Sequence, residues 1–128
     1  MLQVSELFIY PIKSLGGIAV QQAYLTDRGF KYDRRWLLVD KNNVFLTQRD
    51  IPKMAMLQTA IGEAGLTVFQ KQYPSLCLQI PFDALGGETI SVTIWEDTCL
   101  AQLISPDIDA WFTAALGIDC RLVYMPEH

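Results

Sequence analysis

Histidine and cysteine are scarce in this chain of 128 residues. The single histidine, His128, is the last residue, which excludes a catalytic triad or a two-histidine metal site formed within the chain. Cys77, Cys99 and Cys120 are odd in number, widely spaced and set among apolar residues. This pattern argues against a disulfide framework and a zinc site, and it predicts buried structural thiols in a reducing compartment, the cytoplasm. We assign no catalytic residue and no metal ligand.

Long apolar runs and basic tracts are also absent. The longest apolar run, residues 7–12, is far too short to cross a bilayer, and no signal-peptide pattern opens the chain. The net charge is −4, whereas a general nucleic-acid binder needs an extended basic surface. The sequence thus predicts a soluble, unexported protein with no nucleic-acid partner and no membrane partner.

The composition that remains is globular, with 51% apolar and 19% charged residues. A chain of this length can bury one self-sufficient hydrophobic core, but it is too short for a second full domain. We therefore predict a single domain over residues 1–128.

The charges are distributed unevenly along the chain. Residues 1–56 carry eight basic and five acidic side chains, a net charge of +3, whereas residues 57–128 carry two basic and nine acidic side chains, a net charge of −7. An acidic protein that concentrates its cations in one segment is more consistent with a local anion site than with a broad electrostatic surface.

Two short motifs hold the cations that could form such a site. Residues 10–17 read Tyr-Pro-Ile-Lys-Ser-Leu-Gly-Gly and supply Lys13 and Ser14, and residues 33–36 read Asp-Arg-Arg-Trp and supply Arg34. A lysine, a hydroxyl group and an arginine fork can together bind a phosphate, and glycine lets backbone amides approach it. The motif is not a P-loop, because Lys13 precedes the glycines.

Each of these residues also has a purely structural interpretation. Lys13 could be an ordinary solvated lysine, and the glycine pair could form a tight bend between strands. Arg34 and Arg35 could flank a strand, one packing its stem across Trp36 and the other pairing with Asp33 or Asp40.

Alternation of apolar residues and turn signals predict many short strands. The segment 35–40 and the segment 44–47 are predicted to form a hairpin across Lys41-Asn42-Asn43, because asparagine tolerates a positive φ. The fold class is mainly β (α+β), with a compact, barrel-like mixed sheet. The other predicted strands are 4–12, 17–25, 54–61, 66–71, 76–80, 89–95, 98–104 and 119–124.

One amphipathic helix near the C-terminus completes the prediction. Ser105 is its expected N-cap, Pro106 suits the first helical position, and Gly117 ends it. Trp111 and Phe112 belong to one apolar face together with Ile108, Ala115 and Leu116, so the helix is expected to lie across the sheet and to bury both aromatic rings.

The motifs and their order resemble the N-terminal β-barrel domain of MOSC proteins, the group of the mitochondrial amidoxime-reducing component and its bacterial relatives. The resemblance rests on Tyr-Pro-Ile-Lys-Ser, on Asp-Arg-x-Trp leading into Leu-Leu-Val-Asp, and on Phe-Leu-Thr-Gln-Arg at residues 45–49. Trp-Glu-Asp at residues 95–97 and the helix with its following Cys-Arg-Leu-Val extend it over nearly the whole chain.

This resemblance implies a module that helps to hold the molybdenum cofactor (molybdopterin), a pterin that carries a phosphate, for reductive chemistry. Lys13, Ser14 and Arg34 would bind the cofactor phosphate, with Thr47 and Arg49 as secondary candidates. In full-length relatives a C-terminal MOSC domain carries the molybdenum-ligating cysteine, and none of the three cysteines here matches it. The implied partners are that domain, in cis or in trans, and a redox partner protein.

Two hypotheses follow. In the first, the chain is the N-terminal module of a molybdenum-cofactor oxidoreductase, and turnover requires the missing domain. In the second, it is a stand-alone, non-catalytic anion-binding or protein-interaction domain. The joint presence of Lys13, Ser14 and Arg34 favours the first, because an abandoned cleft need not keep all three.

Overall fold

Short antiparallel strands dominate the computed structural model, which describes residues 7–9, 11–12, 15, 18–20, 25–26, 29–30, 35–84 and 86–125. One α-helix, α1 (Pro106–Leu116), precedes the last strand, and a 3₁₀ helix covers Pro52–Met56. The strands are β1 (Leu7–Ile9), β2 (Ile18–Val20), β3 (Leu25–Thr26), β4 (Gly29–Phe30), β5 (Trp36–Asp40), β6 (Leu57–Ile61), β7 (Gly65–Gln70), β8 (Cys77–Pro81), β9 (Thr89–Ile94), β10 (Asp97–Leu103) and β11 (Cys120–Tyr124).

The strands pair into a four-stranded sheet with the order β5-β11-β10-β9 and a three-stranded sheet with the order β6-β7-β8. Two further pairs, β1-β2 and β3-β4, are short two-stranded antiparallel sheets. The predicted mainly β class with one helix is therefore confirmed. The predicted single barrel-like mixed sheet is replaced by separate antiparallel sheets that are not closed.

The turn after β5 carries the chain back across the four-stranded sheet. Asn43 adopts the predicted positive φ, 64°. Phe45 bridges Val39 of β5, and Val44 bridges Thr93 of β9, so the returning segment contacts both edge strands of the sheet. The predicted strand over residues 44–47 is wrong, because only these isolated bridges form there.

The apolar side chains form two separate cores, as strand alternation requires. Along β5, Trp36 and Leu38 belong to the larger core, and Leu37 and Val39 belong to the smaller one. The larger core lies between the four-stranded sheet, α1 and the three-stranded sheet. The smaller core lies on the opposite face of the four-stranded sheet and consists of Leu37, Val39, Val92, Ala101 and Val123.

Helix α1 has the predicted ends. The Ser105 hydroxyl accepts a hydrogen bond from the Asp107 amide at 3.2 Å, and Gly117 ends the helix with a φ of 74°. Phe112 is fully buried in the larger core. Trp111 is only partly buried, so the prediction that both rings lie in the core is wrong for this residue. Because adjacent helical residues point about 100° apart, only one of the two rings faces the sheet directly.

Two other predictions need correction. Residues 54–56 belong to the 3₁₀ helix that Pro52 opens, so β6 begins at Leu57. Only Cys120 is a buried thiol, because Cys77 is exposed on β8 at the edge of its sheet and Cys99 is half-buried. None of the three cysteines forms a disulfide. No helix in the described part of the chain is long and apolar enough to cross a membrane.

Asp109 fastens α1 to the four-stranded sheet. Its carboxylate accepts a hydrogen bond from the Leu122 amide of β11 at 2.9 Å. Burial raises the pKa of Asp109 above its ordinary value of 3.8, although the Leu122 hydrogen bond and the charge of Arg121 act in the opposite direction. A carboxyl group with a raised pKa in the folded state favours folding less as it ionises, so its contribution to stability falls as pH rises through that pKa.

The Asp109→Asn variant is therefore expected to gain stability relative to the unmodified protein as pH rises from about 4 to 7, because the amide oxygen still accepts the Leu122 hydrogen bond without carrying a charge. The Asp109→Ala variant is the control. It leaves the buried Leu122 amide unpaired, which should cost about 1 to 3 kcal/mol. Because it also lacks the titrating carboxyl group, it should be less stable than the Asn variant by a similar amount at every pH. Urea unfolding across this pH range measures the free energy of unfolding of both variants and of the unmodified protein. A difference between the Asn variant and the unmodified protein that stays constant with pH would contradict the prediction.

Candidate functional site

The segments that flank the predicted phosphate ligands meet at the start of β5. Lys13, Ser14 and Arg34 themselves lie outside the described residues. Their chain neighbours are described: Ile12 forms a parallel bridge with Trp36, and the Trp36 amide donates a hydrogen bond to the Pro11 carbonyl at 3.0 Å. The two motifs, which are about twenty residues apart in sequence, are therefore adjacent at this point of the fold.

The same edge of β5 also holds the segment that leads to Thr47. One edge of β5 pairs with β11 along its whole length, so Ile12 at Trp36 and Phe45 at Val39 must both occupy the other edge. The Leu46 amide continues this pairing with a 2.9 Å hydrogen bond to the Leu38 carbonyl. Because the segment runs antiparallel to β5, the chain after Phe45 approaches the end where Ile12 is bound.

Thr47 begins a tight turn that its own side chain stabilises. Its hydroxyl donates to a carboxylate oxygen of Asp50 at 3.3 Å, and the Asp50 amide donates back to that hydroxyl at 3.4 Å. The Ile51 amide donates to the Thr47 carbonyl at 2.8 Å. An anion bound by the Thr47 hydroxyl would meet the negative charge of Asp50, so this hydroxyl is better suited to holding the turn than to binding a phosphate.

Arg49 lies in the same turn, between Thr47 and Asp50, and is exposed. An exposed guanidinium can reach an anion only by giving up rotamer freedom, and solvent screens its charge. Thr47 and Arg49 are thus brought together by the turn, and their roles as secondary ligands remain predictions.

Arg35 is the feature that the sequence interpretation undervalued. It is only 5% exposed and is the one charged side chain that is buried within the described part of the chain. Strand alternation contained the signal, because position 35 falls in register with Leu37 and Val39, both of which are buried. The sequence left open whether one of the two arginines, Arg34 or Arg35, pairs with Asp40. Asp40 lies at the far end of β5, where its carboxylate accepts from the Asn42 and Val44 amides at 2.8 and 3.1 Å.

Trp36 packs on the face of β5 opposite to Leu37. Its ring meets Tyr124 edge-on with the centroids 5.3 Å apart, and the Phe82 ring lies 6.3 Å away. Ile12 and Leu15, on either side of Lys13 and Ser14 in the chain, are also buried, and the Leu15 amide donates to the Ile12 carbonyl at 3.2 Å. Buried residues thus anchor both ends of the short segment that contains Lys13 and Ser14.

Two of the surface grooves in the described part of the chain lie elsewhere. One, of about 250 Å³, lies between α1 and the three-stranded sheet, and its lining is largely apolar. The other, of about 290 Å³, lies beside the turn after β5 and is lined by Asp40, Lys41, Asn42, Ile118 and Asp119. Neither groove includes Thr47 or Arg49. Among the residues that the structure describes, no cluster of three histidine, cysteine, aspartate or glutamate side chains could hold a metal ion.

The sequence matches the model of the MOSC N-terminal beta barrel domain over residues 1–119. Because this match covers most of the chain, the chain belongs to that family. The resemblance inferred from the short motifs is confirmed.

Similar proteins include the molybdenum cofactor sulfurase of Danio rerio, which is 29% identical over 124 residues. The match covers 94% of this chain and 15% of that protein. Mitochondrial amidoxime-reducing component 1 of Mus musculus is 27% identical over 130 residues, and the match covers 98% of this chain and 38% of that protein. The chain therefore spans well under half the length of these relatives.

A solution structure of a Bordetella bronchiseptica protein has the same fold, with a TM-score of 0.61 and 18% sequence identity. The match covers 84% of this chain and 90% of that one. The fold thus occurs in a chain of comparable length.

Proposed function

We propose that this chain is the phosphate-binding N-terminal module of a molybdenum-cofactor-dependent oxidoreductase. Lys13, Ser14 and Arg34 would hold the phosphate of the pterin cofactor, and a C-terminal MOSC domain, in cis or in trans, would supply the metal ligand and the substrate pocket. The observation that supports this proposal is the bridge between Ile12 and Trp36, because these residues are next to both motifs in the chain.

The residue types fit a phosphate group. Lysine contributes a point charge, serine a hydroxyl donor, and arginine a fork that can bind two phosphate oxygens at once. The Asp50 carboxylate accepts a hydrogen bond from Thr47, one of the two secondary candidates. The bound cofactor would supply the redox chemistry, and a redox partner protein would supply electrons. This chain's residues would bind and orient the phosphate.

Three cysteines that form no disulfide support a reducing compartment, the cytoplasm, as the place where the module acts.

The proposal can be tested with phenyl phosphate, a monoester that carries the same dianionic group as the pterin phosphate. The Lys13→Ala, Arg34→Ala double variant is expected to bind this probe about 100-fold more weakly in calorimetry, because two charge-assisted hydrogen bonds are lost. The melting temperature should change little, since surface substitutions have small effects on stability.

The Lys41→Ala, Lys71→Ala double variant is the matched control. It removes the same two charges from exposed positions, one in the turn after β5 and one after β7. Its affinity for phenyl phosphate should stay within about twofold of the unmodified chain, because long-range contributions are screened by salt. Equal losses in the two double variants would mean that only net charge matters, and a chain that does not bind the probe at all would refute the proposed site.

The second candidate function is a stand-alone anion-binding or interaction domain. The observation that favours it is the Bordetella bronchiseptica structure, 90% of which is covered by this fold. The intact mass of the native protein, captured from its source cells with an antibody against this chain, separates the two candidates. A species much heavier than 14.5 kDa supports the first candidate, and a species of that mass supports the second.

A further inference from the structure

The turn between β9 and β10 presents a tryptophan to solvent. Ile94 pairs with Asp97, so Trp95 and Glu96 form a two-residue turn at the tip of this hairpin. The Trp95 side chain is 68% exposed, the largest fraction among the exposed large apolar side chains that the structure describes. Tryptophan is highly buried on average in folded proteins, so an indole exposed to this extent marks the tip as a candidate contact surface.

The backbone of Trp95 is strained for this type of residue. Its φ of 53° lies in the left-handed region, where a bulky side chain is disfavoured and glycine or asparagine is preferred. The Phe45 ring lies against the indole with the centroids 4.9 Å apart, but most of the indole surface remains exposed. Glycine would relieve the strain at the cost of this partial packing. A role of the exposed indole face therefore explains the tryptophan better than packing does.

An apolar side chain and two carboxylates adjoin the indole. Val44 is 38% exposed and bridges Thr93, which precedes Trp95 by two residues. Glu96 and Asp97 follow Trp95 directly, and both are exposed. We call the four residues Val44, Trp95, Glu96 and Asp97 the hairpin-tip patch.

The charge of the hairpin-tip patch is negative. The segments 43–45 and 94–98, which form it, contain two acidic residues and no basic residue. Residues 57–128 together carry two basic and nine acidic side chains, a net charge of −7. A field of this sign attracts cationic groups and steers their approach. The face of an indole ring also attracts a cation, because the ring quadrupole places negative charge there. The ring and the carboxylates thus favour the same class of partner.

We propose that the hairpin-tip patch is a docking surface for a partner protein that presents an arginine-containing basic segment. The guanidinium stacks on the exposed face of Trp95, and its donors bind the carboxylates of Glu96 and Asp97. Its apolar stem packs against Val44. Arginine suits the patch better than lysine, because its planar group stacks on aromatic rings and its fork matches a carboxylate. This inference does not depend on the proposed phosphate site.

The probe is the peptide acetyl-Arg-Gly-Arg-Gly-Arg-amide, titrated into the full chain and followed by NMR. The amide signals of residues 44 and 95–97 are expected to shift, and the corresponding lysine peptide should bind at least about threefold more weakly. The Trp95→Gly variant should bind the arginine peptide at least about 10-fold more weakly, because the central ring is lost. Its melting temperature should stay equal or rise, since glycine adopts a positive φ without strain.

Tyr73→Ala is the matched control for the loss of an exposed ring. Tyr73 is 61% exposed and lies between β7 and β8, so its removal should leave the affinity within about twofold. The carboxylates have their own pair of variants. Glu96→Gln with Asp97→Asn should weaken binding about 10-fold. Glu63→Gln with Asp83→Asn removes the same net charge from exposed positions beside the three-stranded sheet and should change the affinity by no more than about twofold.

Several results would overturn the proposal. Failure of the unmodified chain to bind the arginine peptide removes the docking surface. Equal losses in the two charge variants mean that net charge alone attracts the peptide, and equal affinities for the arginine and lysine peptides exclude the stacked guanidinium. A Trp95→Gly variant that melts at a lower temperature and still binds the peptide assigns Trp95 to packing.

Sedimentation of the unmodified chain tests the other possible occupant, a second copy of the same chain. Self-association that Trp95→Gly abolishes would overturn the proposal in favour of that occupant, whereas a monomeric chain that binds the arginine peptide supports it. Should Trp95→Gly not fold, Trp95→Asn takes its place in both experiments, because asparagine also tolerates a positive φ.

Discussion

The Phe112→Ala variant is expected to lose about 3 to 5 kcal/mol of its free energy of unfolding. Phe112 is fully buried, and it lies on the face of α1 that packs against the larger core, with Ile108 and Leu116 one turn to either side. Truncation removes the ring and leaves a cavity, because the surrounding strands can close only part of the space. Urea unfolding monitored by circular dichroism measures the loss, with an unchanged m-value as the check on two-state behaviour.

Trp111→Ala is the control for this prediction. Trp111 is larger than Phe112, but it is only partly buried and its ring lines the groove beside α1. The two rings meet edge-on with their centroids 5.2 Å apart, so either truncation removes that contact. If the Trp111→Ala variant loses as much free energy of unfolding as the Phe112→Ala variant, or more, the helix packs in a different orientation.

The Gly65→Ala variant is expected to lose about 3 kcal/mol, at the upper end of what overpacking causes. A Cβ atom at position 65 would lie 2.2 Å from the Ile80 carbonyl oxygen and 2.8 Å from the Pro81 Cα atom. Both contacts are with backbone, so no side-chain rotation can relieve them. The start of β7 would have to move away from β8, and this movement would disturb Ile80, which is fully buried in the larger core.

Gly62→Ala provides a control only three residues away. A Cβ atom there would meet its nearest neighbour, the Gly65 carbonyl oxygen, at 3.7 Å, which is ordinary van der Waals contact. Its effect on the free energy of unfolding should therefore be within about 0.5 kcal/mol. Thermal unfolding of the two variants, measured side by side, tests whether β7 and β8 approach each other this closely. Equal stabilities of the two variants would contradict the close approach.

Local chemistry made some elements predictable from sequence. The helix was predicted closely because Ser105, Pro106 and Gly117 each act within one turn of their own position. The strands β9 and β10 were predicted to within about two residues because they alternate regularly and are joined by a two-residue turn. In that turn Trp95 has a φ of 53°, which no rule based on residue preference predicts for a tryptophan.

The features that could not be predicted from the sequence depend on tertiary contacts. Alternation places Arg35 and Leu37 on one face, but it does not show that this face is covered at position 35, where the side chain is buried. Periodicity likewise puts Trp111 and Phe112 on one face of α1 without showing which ring the sheet covers. The motifs predicted the family correctly. They could not predict that the Asp50 carboxylate would engage Thr47, because that contact depends on the shape of one turn.

The segment that follows β5, residues 43–45, covers an edge of the four-stranded sheet that strands of other molecules could otherwise pair with. The Phe45 amide donates to the Thr93 carbonyl at 3.0 Å, and the Thr93 amide donates to the Asn43 carbonyl at 2.9 Å. These bonds use backbone groups of the edge strand β9 that could otherwise pair with a strand of another molecule. An edge that is occupied by the domain's own chain is thereby protected from intermolecular strand exchange and aggregation.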